Sequence, residues 1–177
     1  MKLLDTRGNE KFIKNRANQF DTIRVMRGVA YESAQNPLFK KLINKHSLFR
    51  DPDRIKKIFD FCFYNTYYQK DDPKRQTVRS GIRSLTDKKA KCVDYSVLLS
   101  SFLLNLNEPH VFRMVSTNKN KPNDYNHIYV VLADGTPLDL VIGQDQDGKE
   151  ILKRANERTN FLGTEVPYIK KKDVKIL

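Results

Sequence analysis

Apolar positions recur at helical spacing through the first hundred residues and then change to strand-like runs after residue 109. Between residues 12 and 34, Ile13, Ala17, Phe20, Ile23, Met26, Val29 and Ala30 fall mostly at three- and four-residue steps, which predicts an amphipathic helix, broken at Gly28. Asn36-Pro37 closes it, because the residue before a proline avoids the helical region. A short second helix is predicted over 38–45, with Leu38, Phe39, Leu42 and Ile43 on one side. Asp51-Pro52-Asp53 reads as a third helix start, with Asp51 as cap and Pro52 in the first turn. Ile55, Ile58, Phe59, Cys62 and Phe63 follow at helical spacing, to about residue 67. Residues 71–91 are rich in Lys, Arg, Ser and Thr and are predicted to be a loop; at about 20 residues it has a length that goes with function.

Residues 93–106 carry the strongest signal. Val93, Val97, Leu98, Ser101, Phe102, Leu104 and Leu106 cover more than half a helical circumference, so this helix is expected at the centre of the fold. Asn107-Glu108-Pro109 stops it. His-Val-Phe-Arg-Met-Val at 110–115 and Ile-Tyr-Val-Val-Leu at 128–132 read as strands, separated by a polar loop at 118–126. Asp134-Gly135 is a hairpin signature, and 137–142 is a third strand of an antiparallel meander. A short helix is expected at 150–158. The tail, 166–177, with Lys170-Lys171-Lys172, is read as an added edge strand. Helices followed by a meander make the fold class α+β.

Composition narrows this reading. A chain of 177 residues is expected to form a single domain, here an N-terminal helical part (1–48), a core (49–145) and a C-terminal extension (146–177). With 10 Phe and 8 Tyr it has the means to build a core. Two Cys exclude a disulfide scaffold and a Cys-only zinc site. The 3 His show no metal-ligand spacing, and no glycine-rich phosphate loop is present, so neither metal nor cofactor is expected. Asp145-Gln146-Asp147-Gly148 resembles the start of a calcium loop, but its twelfth position holds Asn156 rather than Glu. The net charge of +12 lies entirely in one half: residues 1–91 carry 22 Lys/Arg against 10 Asp/Glu, and residues 92–177 carry 11 of each. Such a half is either a set of solvated basic helix faces or a surface for an acidic partner such as nucleic acid. No apolar run is long enough to span a membrane. Asp5 and Arg7 interrupt the N-terminus before a secretory signal forms, so synthesis in the cytoplasm is expected.

Three residues stand where nucleophilic chemistry would need them. Cys92 opens the central helix, His127 opens the second strand, and Asp139 lies just past the hairpin turn. The thiolate is the reactive form of cysteine, and a free thiol is mostly protonated at neutral pH. A helix N-terminus stabilises negative charge, a neighbouring His forms an ion pair with the thiolate, and an acid on the far ring nitrogen sets the tautomer. Asp94, in the first turn, is read as stabilising the positive helix end. Cys62 is read as core, and His46 and His110 as non-catalytic.

The same residues resemble a family. Lys91-Cys92-Val93-Asp94-Tyr95-Ser96 with the apolar helix after it is similar to the Gly-Asp-Cys-x-Asp motif of transglutaminase-like proteins. His127-Ile128-Tyr129 resembles the family's His-strand, and Ala133-Asp134-Gly135-Thr136-Pro137-Leu138-Asp139 its hairpin and acid. The pair Asp72-Pro73 is similar to short phage-associated members. The chain departs from the pattern at Ala90, where the family has Gly, and at Tyr129, where it often has Trp. The resemblance covers about residues 50–145. It implies a papain-like core and acyl transfer from an amide through a thioester at Cys92, with His127 and Asp139 completing a catalytic triad. A peptide or protein would be the substrate, and water or a lysine amine the acceptor. The oxyanion donor would be the Cys92 amide, with Gln69 and Gln76 as side-chain alternatives. Two other readings stay open: an inactive virion structural or binding protein that keeps the fold, and a basic nucleic-acid-associated protein.

Overall fold

The computed structural model describes residues 10–12, 19–69, 77–142 and 163–176. Its elements, in order, are β1 (Glu10–Phe12), α1 (Gln19–Ala34), α2 (Pro37–Lys45), a 3-10 turn (Leu48–Arg50), α3 (Arg54–Asn65), β2 (Tyr67–Tyr68), β3 (Thr77–Arg79), α4 (Gly81–Asp87), β4 (Lys89–Ala90), α5 (Cys92–Asn105), β5 (His110–Ser116), β6 (His127–Leu132), β7 (Pro137–Leu138) and β8 (Lys170–Lys175). The architecture is mixed, with helices gathered on one face of a four-stranded antiparallel sheet of order β7-β6-β5-β8.

Helix α5 is the hub. It is buried from Asp94 through Leu103 because a helix this apolar must be covered on all sides. Phe39 of α2 meets Phe102 edge-on at 4.7 Å between ring centres, and Phe61 of α3 meets it at 5.8 Å. Strand alternation then decides which sheet residues face the helix. Phe112 and Met114 of β5, and Ile128 and Val130 of β6, join the core around α5. Val115, Tyr129 and Val131 point to the opposite face, where Val166 and Tyr168 cover them.

The expected meander, with its Asp-Gly turn, is present. Gly135 takes φ +91°, a conformation that favours glycine, and the Thr136 amide donates to Asp134 Oδ1 at 2.8 Å. The tail does add an edge strand, β8, paired antiparallel with β5.

Several expectations are corrected. Gly28 does not break α1, which runs from Gln19 to Ala34. One glycine costs a buried helix only about 1 kcal/mol. Phe12 belongs to β1, paired with Thr77 of β3. Helix α3 stops at Asn65, where Thr66 turns extended and the chain enters β2. The supposed loop at 71–91 holds β3, α4 and β4. Ser80 caps α4 by accepting the Arg83 amide at 3.2 Å, and β4 pairs in parallel with β2. The third strand is shorter than expected, with only Pro137 and Leu138 on the ladder. The helix expected at 150–158 and the run at 145–148 lie outside the described residues. Among those residues, no helix is long and apolar enough to cross a membrane.

Candidate active site

Cys92 is the first residue of α5, entered from an extended Lys91. Its position is braced on two sides. Asp94 accepts the Arg79 amide of β3 at 2.9 Å and the Lys91 amide at 3.3 Å. Ser96 Oγ lies 2.8 Å from the Cys92 carbonyl oxygen and 3.3 Å from that of Ile128. The first turn of the helix is therefore tied to the strand residue next to His127. Cys92 is half-buried.

His127 opens β6 opposite Val115. The ladder between β6 and β7 pairs Val130 with Leu138, so Asp139 follows onto the face that carries Tyr129, diagonal to His127. Diagonal neighbours on one face are within reach of long side chains. His127 Nε2 and Asp139 Oδ2 are 2.7 Å apart, with the Asp139 side chain only 1% exposed. Asp139 Oδ1 accepts the Val141 amide at 3.1 Å, so both carboxylate oxygens are engaged. With Nε2 on the carboxylate, Nδ1 is left for the thiol, and Cys92 lines the same cleft as His127, close enough to favour the charged ring. Burial works against a charged imidazole, but Asp139 and then Cys92 outweigh it and raise the His127 pKa from 6.5 to about 10.

The three candidate residues therefore meet. Cys92 and His127 open on a cleft of about 300 Å³ lined also by Gln19, Ile23, Met114 and Tyr125, among others, with Asp139 buried behind the ring. Two larger cavities, of about 710 and 380 Å³, lie elsewhere, and neither touches Cys92 or His127.

The remaining candidates are placed as follows. Gln69 is exposed and its backbone amide donates to the Ala90 carbonyl at 3.0 Å, beside the approach to Cys92. Gln76 lies outside the described residues. Cys62 is fully buried in the core, and burial pushes its thiol pKa up. His46 is exposed near Phe61. His110 is buried with both ring nitrogens engaged, by Ser100 Oγ at 2.8 Å and the Glu108 carbonyl at 2.7 Å. Among the described residues no group of three His, Cys, Asp or Glu could hold a metal ion. Sequence reasoning missed Ser96 as the brace between helix and strand. Its signal was a hydroxyl one turn after Cys92 in an apolar helix.

No family model matches the chain, and no curated protein matches it. The structure is similar to a 1.9 Å crystal structure of a "putative cysteine protease" from Cytophaga hutchinsonii, with a TM-score of 0.45 and 16% sequence identity. The match covers 82% of this chain and 50% of that one, so the chain spans half the length of the protein it resembles.

Proposed function

We propose that the protein is a transglutaminase-like cysteine acyl-transfer enzyme with a papain-like core formed by a single domain, residues 1–177, acting chiefly as a hydrolase of peptide or protein amides. The observation that carries this reading is the imidazole of His127, held by Asp139 at 2.7 Å and sharing a cleft with Cys92 at the start of a buried helix.

Cys92 Sγ attacks the amide carbonyl carbon and His127 takes the thiol proton. The negative charge moves to the carbonyl oxygen, where the Cys92 backbone amide is the nearest donor by chain position. The carbon–nitrogen bond then breaks, His127 protonates the departing amine, and a thioester remains on Cys92. A water molecule gives a proton to His127 and its oxygen attacks the thioester. The carbon–sulfur bond breaks, the acid leaves and the thiol is restored. A lysine amine in place of water would make the same enzyme a crosslinker. Asp139 orients the ring throughout.

The test is alkylation of Cys92 by iodoacetamide, read by mass spectrometry at pH 6 and pH 9. An ordinary thiol loses roughly 200-fold in rate over that span, because only the thiolate reacts. Cys92 is expected to lose less than about tenfold, and His127→Ala to restore the steep loss. Buried Cys62 serves as internal control and stays unlabelled while the fold is intact. A Cys92 rate that falls like an ordinary thiol's, with or without His127, would refute the reading.

A further inference from the structure

The outer face of the sheet carries a chain of contacts that ends at the candidate base. Strand β6 alternates, so Tyr129 shares this face with His127, and the two rings lie 5.6 Å apart, tilted by 32°. Tyr129 is 2% exposed, and its hydroxyl donates to Glu165 Oε2. Glu165 reaches it because segment 163–169 crosses the sheet from one side to the other. The Gly163 amide donates to Pro137 at 3.2 Å and the Ile169 amide to Ser116 at 2.8 Å. Between these anchors Val166 and Tyr168 pack on the Val115, Tyr129 and Val131 cluster. Behind Glu165 stands Arg113, 3.4 Å from the same carboxylate oxygen and bound through two nitrogens to Asp173 of β8 at 2.7 and 2.8 Å.

We propose that Tyr129 is a positioning residue for the His127 imidazole, and that Glu165, carried across the sheet by segment 163–169, holds Tyr129 in that role. The proposal rests on the cysteine acyl-transfer reading above. An imidazole held at Nε2 by a carboxylate can still pivot about that bond. A ring packed beside it limits that motion and keeps water from the His127–Asp139 bond. Tyr129 in turn has its own orientation set by the bond from its hydroxyl to Glu165. Removing Glu165 frees the hydroxyl and loosens the wall without touching His127, Asp139 or Cys92. The ionisable groups around the His127 ring are Cys92 and Lys91 from the start of α5, Tyr125 from the loop before β6, Asp139 after β7, and Tyr129 on its own strand. Glu165 and Arg113 stand one residue further away.

The test uses iodoacetamide labelling of Cys92 in the full chain, expressed as the rate at pH 6 divided by the rate at pH 9. Tyr129→Leu is expected to lower this ratio by about tenfold, because the ring wall that excludes water is gone. Tyr129→Phe and Glu165→Ala are expected to lower it by about threefold each, and by no more together, because each removes one end of the same bond. A role in folding alone would open Cys62 to the reagent and leave the Cys92 ratio of the folded fraction unchanged. If Tyr129→Leu unfolds by that criterion, Tyr129→Phe and Glu165→Ala decide. Ratios unchanged in the variants while His127→Ala still lowers it would overturn this proposal and leave the enzyme reading standing. A ratio that His127→Ala does not lower would sink the enzyme reading itself.

Discussion

Replacing Asp139 by Asn removes the charge beside His127 while keeping the shape of the side chain. In the native site one carboxylate oxygen faces the ring and the other accepts the Val141 amide. An Asn offers one acceptor for those two donors, so one bond survives and the negative charge is gone. The rise of the His127 pKa from 6.5 to about 10 is worth about 5 kcal/mol at roughly 1.4 kcal/mol per pH unit. It is made by Asp139 first and Cys92 second, working against burial. Taking away the larger contributor is expected to lower the His127 pKa by about 2 pH units, about 3 kcal/mol. The assay is an NMR titration of the imidazole nitrogens, assigned among 3 histidines by comparison with His127→Ala. The linked change in stability has a definite sign. A raised histidine pKa stabilises the fold fully below its unfolded value, and that contribution is lost as pH climbs toward the folded value. In a Cys92→Ala background the thiol proton does not enter and Asp139 acts alone. There, urea unfolding is expected to show a decline of about 1–2 kcal/mol between pH 7 and pH 9, and Asp139→Asn should flatten it. A His127 that titrates near 6.5 in the native protein, or one that Asn leaves where it was, would refute this reasoning.

Two other sites give sharp expectations. Ser100→Ala leaves the buried Nε2 of His110 without its partner at 2.8 Å, which is expected to cost about 1–3 kcal/mol in urea unfolding at pH 7.5; a loss under about 0.3 kcal/mol would mean that water replaces the hydroxyl. Gly81→Ala would put a methyl carbon 2.7 Å from Phe39 Cζ and 3.2 Å from the Leu98 backbone. Overpacking of that kind is expected to cost about 1–3 kcal/mol, read as a lower midpoint in thermal unfolding, and an unchanged midpoint would show that Phe39 moves aside freely.

What could be read from the sequence, and what could not, divides along physical lines. Helix α5 and strands β5 and β6 are long, and each has a buried pattern dictated by its own residues, so period alone revealed them. Cys92 and His127 open two of those elements and Asp139 follows the short β7, and their order along the chain was enough to bring them together once the hairpin turn was recognised. The stretch from 77 to 90 was opaque for the opposite reason. Strands β3 and β4 have three and two residues, too few for a period, and their partners are distant in sequence. Thr77 pairs with Phe12, and the Gly81 amide donates to Ser33 Oγ at 3.0 Å. The Ser80 cap of α4 was the only local signal there, and it lay in a background of charged residues that otherwise read as loop.

Asp94 shows how a correct local reading can still fall short of the structure. A carboxylate in the first turn of a helix stabilises the positive helix end wherever it sits. Here it is also 2% exposed, and burial lifts its pKa to about 6 against the opposing pull of Lys91 and the Arg79 and Lys91 amides. At neutral pH it is mostly ionised, and the donors that make this tolerable are backbone amides from two different elements. The cost of burying that charge is offset only when β3 lies against the start of α5. Asp94 thus converts a local preference into a tertiary condition: the turn that presents Cys92 is complete only if the short strand before it has docked. Ser96 sets the matching condition on the other side, toward Ile128. A cysteine held between two such ties has little freedom relative to His127, which is what the proposed acyl transfer would require of a nucleophile and its base.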